Sequence, residues 1–244
     1  AFIPTAILYL LFSLPLFFIN KDTPIPKNQR IQGSFFDGYK EIINTFKDMK
    51  SHKSVFTFMI AYFFINDAIA TTIAMMAIYA TVIVGFSSGQ FIVLYLVSTI
   101  STVIGSFVFG YITKRIGAKN AVSIVAILMI VSLFVAVFAY DQWMFWIAGS
   151  MFGVSLGSMW VTSRTLIIEL SPEDKRGQFF GLFAFSGKVS SIIGPVLYGT
   201  ITYQLQDYGP LASRIALSTL IVMTVFGLII HLRLKHDSTD PKVG

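Results

Sequence analysis

Seven long apolar segments dominate this chain and constrain its fold more than any other feature. Each reaches the length of roughly 20 residues that a helix needs to cross the hydrocarbon core of a bilayer. Because the bilayer core has no water to form hydrogen bonds with backbone N–H and C=O groups, each crossing is predicted to be an α-helix. The predicted spans are 2–19, 54–84, 90–113, 119–140, 143–165, 178–203 and 211–232. The sequence therefore predicts an all-α integral membrane protein whose first partner is the lipid bilayer.

The cationic residues are sorted between the two sets of stretches that connect these spans. Of the 18 Lys and Arg residues, 16 fall in alternate stretches, all on one side of the predicted membrane. The stretches on the other side carry only Arg214, and Lys188 lies inside a span. Insertion retains Lys and Arg on the cytoplasmic face, so the sorting predicts a cytoplasmic C-terminus. The net charge of +6 is this cytoplasmic charge and indicates no nucleic-acid partner.

The composition excludes several classes of site within this chain. The absence of cysteine excludes disulfides, thiolate catalysis and Cys-ligated metals. The three histidines His52, His231 and His236 are not clustered, so we expect neither a metal ion nor a cofactor. The apolar spans hold no Ser/His/Asp constellation, so we do not expect an enzyme.

The pattern of spans and charges divides the chain into four regions. Residues 1–19 are the first span, and residues 20–53 are a cytoplasmic loop whose segment 34–49 has the two faces of an amphipathic helix. Residues 54–234 form six spans, and residues 235–244 form a cytoplasmic tail. Six spans divided three plus three are typical of transporter half-bundles built from inverted repeats. Because the chain begins inside an apolar run, we expect a fragment whose upstream part is missing.

Two ionisable residues, Asp67 and Lys188, lie deep in the predicted spans. A charge at the bilayer centre costs about 2.5–3.5 kcal/mol on insertion scales, so such residues are functional candidates by default. Both fall near the midplane, where they could form an ion pair that protonation of Asp67 would release. A pair that only holds two helices in register is the alternative. Asn66 and Thr71 extend the polar face around Asp67.

The span 143–165 carries small residues at helical spacing. Gly149, Gly153 and Gly157 let another helix approach closely, either for packing alone or as a sliding surface. Ser158 adds polarity to the same span and is a candidate substrate contact. Arg164 at its cytoplasmic end is a candidate gate residue, with a solvated surface pair as the alternative.

A Gly-Pro dipeptide interrupts the span 178–203 shortly after Lys188. Pro195 removes a backbone donor from the helix, and its ring clashes with the preceding turn. Together with Gly194 it is predicted to kink this helix near the depth of the two ionisable residues.

The stretch from Gly110 to Lys119 resembles the loop signature of the major facilitator superfamily of transporters. Gly110, Arg115, Gly117 and Lys119 match its glycine and basic positions, and the stretch falls on the cytoplasmic side between the third and fourth spans. In that superfamily the signature recurs at this place in the second half of the protein. Lys114 stands where the signature has an acidic residue, so the charge relay ascribed to that position is not carried over.

Three further stretches resemble the vacuole-effluxer-like family within that superfamily, the family of the autophagy-related vacuolar amino-acid effluxer. Residues 61–71 resemble its seventh helix, and Ser163 and Arg164 with Pro172 resemble the end of its tenth. Residues 179–195, which include Gly187, resemble its eleventh helix and are the most specific match. The resemblance covers nearly the whole chain.

The resemblance implies the C-terminal half of such a transporter: helix six, the central loop and helices seven to twelve, with helices one to five missing. Asp67 would look into the central cavity, and Lys188 would lie at the interface with the missing N-terminal half-bundle. The implied activity is secondary active export of a small-molecule substrate such as amino acids by alternating access. Proton coupling at Asp67 is a hypothesis, and in a bacterium the membrane would be the plasma or inner membrane.

A seven-helix receptor or photoreceptor is the alternative from another class. A retinal protein would carry its Schiff-base lysine in the seventh span, whereas Lys188 lies in the sixth. A membrane subunit without transport is a further alternative. An upstream reading frame with five more spans would argue against both.

Overall fold

The computed structural model describes residues 2–19 and 52–234, apart from the side chain of Asp174. Within this part of the chain, seven helical spans are long and apolar enough to cross a membrane, which confirms the seven predicted ones. The helices are α1 (Phe2–Ile19), α2 (Lys53–Ile78, extended by a π-helix at Tyr79–Ile83), α3 (Ser88–Ile116), α4 (Ala118–Val137), α5 (Gln142–Leu170), α6 (Arg176–Ser190), α7 (Ile193–Gln204) and α8 (Pro210–Leu232). The predicted amphipathic helix 34–49 and the tail 235–244 lie outside the described residues.

Helix α1 belongs to a compact unit separate from that of the other helices. Its 18 residues have a mean hydropathy of 2.2 and carry no charge. The hydroxyl of Ser13 donates to the carbonyl of Leu10 at 2.9 Å, so this polar group is satisfied inside the helix as the bilayer requires. Pro15 also lies within this helix.

Helices α2 to α8 pack into one bundle, in which the α2 span is the most buried. Helix α2 contacts α5, α6, α7 and α8, whereas α4 lies between α5 and α8. In the most apolar stretch of the α2 span 56% of residues are buried, against 11% in α3. Polar side chains on α2 are therefore held inside protein, and α3 presents most of its apolar surface outward.

Local sequence signals set the helix ends. Ser87 and Gln90 form a reciprocal capping box at the start of α3, with hydrogen bonds of 3.2 and 2.9 Å. Gly117 alone separates α3 from α4 at φ +82°, a backbone conformation that favours glycine. Gly209 at φ +59° and Pro210 together start α8.

The connections alternate between two ends of the bundle. We call the end with residues 114–119, 171–176 and 233–234 the basic end, and the end with residues 84–87, 138–141 and 205–209 the opposite end. Within the described chain, α2 and α8 run antiparallel, as do α4 and α8. Helices α3 and α5 run in the same direction.

Candidate functional site

The candidate site lies where α2 meets a break between α6 and α7. Residues Ser191 and Ile192 interrupt the helix between Ser190 and Ile193. Pro195 is the third residue of α7. It has no N–H to donate to the carbonyl of Ser191, and its ring clashes with that carbonyl, so a continuous helix is disfavoured here. The predicted interruption of the span is therefore present, as two half-helices at the centre of the membrane segment.

Asp67 faces this break from the middle of the 31-residue span Lys53–Ile83. Its side chain is only 1% exposed. One carboxylate oxygen, Oδ1, accepts a hydrogen bond of 2.8 Å from the backbone N–H of Gly194 in the first turn of α7. A carboxylate at a helix N-terminus satisfies a free backbone donor and interacts favourably with the helix dipole.

Asn66 contacts the other side of the break. Its amide Nδ2 donates to the carbonyl of Gly187 at 2.7 Å and to the hydroxyl of Ser190 at 2.9 Å, both in the last turn of α6. The Tyr62 hydroxyl donates to Asn66 Oδ1 at 3.0 Å and so fixes which way the amide points. Neighbouring residues on α2 thus bind both half-helices.

Two oxygen atoms at the site are buried without a hydrogen-bond partner in the described chain, namely Asp67 Oδ2 and Thr71 Oγ1. Both belong to α2 and are one helical turn apart. A buried polar atom left without a partner costs about 1–3 kcal/mol. An unpartnered buried polar atom in a native protein usually has a further partner, such as a water molecule, an ion or, at a carboxylate, a proton.

Gly194 permits this close approach because it has no side chain. A Cβ atom there would lie 2.9 Å from both carboxylate oxygens of Asp67 and would collide with Thr71 Oγ1. At Gly187 the fit is looser, with a Cβ position 3.3 Å from the Tyr62 ring. The two glycines let the two half-helices approach the polar face of α2.

Lys188 does not take part in this cluster. Its side chain is exposed, and among the described residues it forms no ion pair with Asp67. Residue 188 is rotated by about 100° from Gly187 around α6, and Gly187 and Ser190 are the residues that face α2. The ion pair considered between Asp67 and Lys188 is therefore not formed within the described chain, and the nearby Ser190 contacts Asn66.

The carboxylate of Asp67 lies at a contact between helices within the described chain. The family resemblance implied that it looks into a central cavity, whereas its carboxylate is enclosed between α2 and the N-terminus of α7. The reason is the helix break, which supplies a backbone donor at the depth of the carboxylate. Asp67 is thus placed to act on the break itself.

The small residues of α5 lie against α3. A Cβ at Gly153 or Gly157 would collide with the carbonyl of Ser98 or Thr102, and one at Gly149 would lie 2.8 Å from the Leu94 side chain. This geometry gives the close helix approach for which the three glycines were singled out.

Ser158 belongs to the same contact between α3 and α5. Its hydroxyl is buried, donates to Val154 O at 2.6 Å, and lies 3.0 Å from the Cβ position of Gly105. Its predicted role as a substrate contact therefore has no support from its position.

Arg164 is exposed on α5 near the basic end, and it forms no ion pair with any described side chain. Glu173 instead pairs with Arg176 at 3.4 Å on the surface. The gate pair considered for Arg164 is not formed within the described chain.

The signature residues lie at the α3–α4 turn of the basic end. Gly117 makes the turn, Gly110 has open space at its Cβ position, and Arg115 is exposed. The Lys119 ammonium group donates to the carbonyl of Leu234, just beyond the end of α8. His231, fully buried in α8, in turn donates through Nε2 to the carbonyl of Lys119 at 2.9 Å.

Sequence reasoning missed a cleft of about 310 Å³ between α2, α3, α4 and α5. Its walls are mostly apolar, and the hydroxyls that face it donate to backbone carbonyls. These hydroxyls belong to Thr72, Ser98, Thr99, Thr102 and Ser132. No single segment signals the cleft, because four helices contribute to it.

The family model described as "Vacuole effluxer Atg22 like" matches residues 1–242. The chain belongs to this Atg22-like family. The family resemblance inferred from the α2, α5 and α6–α7 segments is thereby confirmed, together with an all-α membrane fold of the major facilitator type.

Curated relatives carry names consistent with the Atg22-like family. The uncharacterized MFS-type transporter YxiO of Bacillus subtilis is 28% identical over 232 residues, which are 94% of this chain and 52% of that protein. Autophagy-related protein 22 of Yarrowia lipolytica is 26% identical, over 83% of this chain and 36% of that protein. The Kluyveromyces lactis protein of the same name is 25% identical, over 80% of this chain and 43% of that protein. The Atg22-like chain thus spans about half or less of the length of these relatives.

Proposed function

We propose that this chain is the C-terminal half of a secondary active transporter that works by alternating access. Its relatives are about twice as long or longer, which leaves room for a further half-bundle. The most apolar stretches of α3 and of the α6–α7 span have only 11% and 22% of their residues buried, so both helices offer surface to such a partner. We propose that α1 is helix six and that α2 to α8 supply helices seven to twelve.

The observation that carries the proposal is a buried carboxylate at a broken membrane helix. Discontinuous helices mark substrate and ion sites in secondary transporters, because their free backbone groups are satisfied only by ligands or side chains. Asp67 meets the α6–α7 break and keeps one oxygen without a partner. We assign Asp67 to proton coupling and Asn66 and Thr71 to its support.

The proposed substrate is a small solute such as an amino acid, moved in the export direction. Lys188 supports a substrate with an anionic group, because it is a cation near mid-span with no ion-pair partner among the described residues. The cleft of about 310 Å³ supports a substrate of modest size. We propose that Lys188 contacts either the substrate or an acidic group of the other half-bundle.

The proposed location is a multi-pass position in the plasma or inner membrane if the source is bacterial. The sorting of Lys and Arg supports a cytoplasmic basic end and a cytoplasmic C-terminus.

The test is flux of labelled amino acids into proteoliposomes that hold the full-length protein. Wild-type protein is expected to show counterflow and uptake driven by a pH gradient. Asp67→Asn is expected to lose gradient-driven flux and keep counterflow, because a neutral side chain no longer exchanges a proton. Asp207→Asn, an exposed carboxylate in the α7–α8 connection, is the matched control and should behave as wild type.

Two results would contradict the proposal. Gradient-driven flux retained in Asp67→Asn would remove Asp67 from coupling. Absence of any flux in wild-type protein across amino acids and other solutes would favour the alternative of a non-transporting membrane subunit.

A further inference from the structure

We propose that Asn66 and Asp67 form a splint across the break between α6 and α7, and that a proton shared by Asp67 Oδ2 and Thr71 Oγ1 releases α7 from it. This inference rests on the proposed proton coupling and specifies how the site acts. It assigns positioning roles to Asn66 and Thr71.

The first step is the match between each side chain and the helix end that it faces. The last turn of a helix has free carbonyls and the first turn has free N–H groups, and the bilayer offers water to neither. The Asn66 amide can donate, and it does so to Gly187 O at the end of α6. The ionised Asp67 can only accept, and it does so from Gly194 N at the start of α7. Each half-helix is thus held by its own residue.

The second step is the identity of the ligand. The two unpartnered oxygens, Asp67 Oδ2 and Thr71 Oγ1, are both buried. A protonated carboxyl group gains one O–H donor, and a threonine hydroxyl one turn along the same helix is a suitable acceptor. A metal cation would need more oxygen ligands and would face the positive end of α7. A proton therefore suits this pair of oxygens best.

The third step is the effect of that proton on the break. With Asp67 neutral, the bond to Gly194 N is no longer charge-assisted, and the favourable interaction with the dipole of α7 is lost. Asn66 does not titrate, so α6 stays bound to α2. Protonation thus frees α7 alone and makes Ser191 and Ile192 the moving joint.

Within the described chain, no other charged side chain contacts the Asp67 carboxylate and could account for a pH-dependent change at the break. Among the described residues, none of the basic side chains on the helices packed against α2 is within 4.0 Å of the Asp67 carboxylate. Lys188 and Arg164 are exposed, and Arg214 donates to the carbonyls of Val137, the last residue of α4, and of Ala139. The remaining titratable groups on those helices are Glu169 near the end of α5, Arg176 at the start of α6, Tyr198 and Tyr203 on α7, and His231 at the basic end of α8.

The test measures access to the joint directly. Because the chain has no cysteine, Ile192→Cys introduces a single thiol at an exposed position of the break. Its alkylation by N-ethylmaleimide is followed in proteoliposomes of the full-length protein, with any cysteine outside this chain replaced. The rate is divided by that of a reference thiol, Ile104→Cys on α3, so that thiol ionisation cancels. As the pH falls from about 8 to about 5, the ratio is expected to rise roughly tenfold, as for loss of a charge-assisted hydrogen bond.

Variants separate the roles within the splint. Asp67→Asn should give the high ratio at every pH. Thr71→Val should move the labelling change to lower pH, because the protonated form loses its acceptor, and Thr71→Ser should restore it. Asn66→Ala should raise the ratio at all pH values and keep its pH dependence.

A ratio that stays flat with pH in wild type, or that still changes with pH in Asp67→Asn, would overturn the splint. Labelling needs no substrate, so it is independent of the flux assay. A pH-dependent ratio without any flux would support the splint and remove the transporter proposal. Gradient-driven flux together with a ratio that does not change with pH would support the transporter proposal and overturn the splint.

Discussion

A single missing side chain, that of Gly194, decides whether α7 can reach Asp67. Gly194 lies in an ordinary helical turn, so its importance comes from space rather than from an unusual backbone angle. Any Cβ atom there would sit 2.9 Å from both carboxylate oxygens and would collide with the Thr71 hydroxyl. Both neighbours belong to a buried segment of α2, so neither can move away easily.

We therefore expect Gly194→Ala to push α7 away from α2 and break the cap on its N-terminus. Overpacking at a buried contact costs about 1–3 kcal/mol, so the melting temperature should fall and gradient-driven flux should drop at least roughly tenfold. Gly199→Ala on the same helix is the matched control, because no atom lies within 4 Å of its Cβ position. Equal stability and flux for the two variants would show that the close contact does not matter.

The residue scale also shows what could be predicted from the sequence. Asp67 stands out because a carboxylate in an apolar span is costly wherever it points. Its partner could not be predicted, since a step of one residue along α6 turns a side chain by about 100°. Lys188 is thus exposed although its neighbour Gly187 contacts α2. The sequence identifies Asn66 only as part of a polar face. Its contact with α6 depends on the carbonyl of Gly187, which is free because the helix breaks after Ser190.

Helices α4 and α8 hold each other by reciprocal caps. At the opposite end, Arg214 of α8 donates to the carbonyls of Val137 and Ala139, the latter at 2.8 Å, and its guanidinium lies 4.8 Å from the Tyr140 ring. At the basic end, Lys119 of α4 donates to the carbonyl of Leu234 beyond α8. Cations near helix C-termini donate to free carbonyls and interact favourably with the negative end of the helix dipole. This explains why Arg214 is present in the first turns of α8 near the opposite end, where the connections themselves carry no Lys or Arg.

We expect Arg214→Ala to destabilise the protein by about 1.5–3 kcal/mol, the range for hydrogen bonds to charged groups. The loss should be visible as a lower melting temperature in detergent. Arg233→Ala removes an exposed arginine just beyond the other end of α8 and should have little effect. Because the two caps lie at opposite ends of the bundle, Lys119→Ala and Arg214→Ala should be additive. Equal melting of Arg214→Ala and Arg233→Ala would contradict the capping role.

At the element scale, hydropathy predicted the spans well, because crossing length and apolar composition are local properties. Every predicted span lies within a few residues of an observed one, including the interrupted span now seen as α6 and α7. The π-helix at Tyr79–Ile83 was not predicted, since a single wide turn leaves no clear mark in hydropathy. The predicted helix 34–49 lies outside the described residues and stays a prediction.

At the scale of the whole molecule, exposure is distributed unevenly over the bundle. Helix α2 is largely enclosed, whereas α3 and the α6–α7 span expose most of their apolar residues. No hydropathy profile distinguishes these cases, because lipid-facing surfaces and surfaces that pack against other helices are both largely apolar in a membrane protein. Only the three-dimensional packing shows that the broken α6–α7 span contacts α2 on one face and is exposed on the other.

The charge asymmetry of the bundle predicts its orientation in the membrane, and single cysteines can measure that orientation. Glu173→Cys places a thiol at the basic end, where its surface pair with Arg176 contributes little stability. Gln206→Cys places one at the opposite end, in the exposed α7–α8 connection.

Because insertion keeps Lys and Arg in the cytoplasm, a membrane-impermeant maleimide should label Gln206→Cys in intact cells. Glu173→Cys should be labelled only after the cells are permeabilised, and protein without an introduced cysteine measures the background. Labelling of Glu173→Cys in intact cells would invert the proposed topology and place the C-terminus outside.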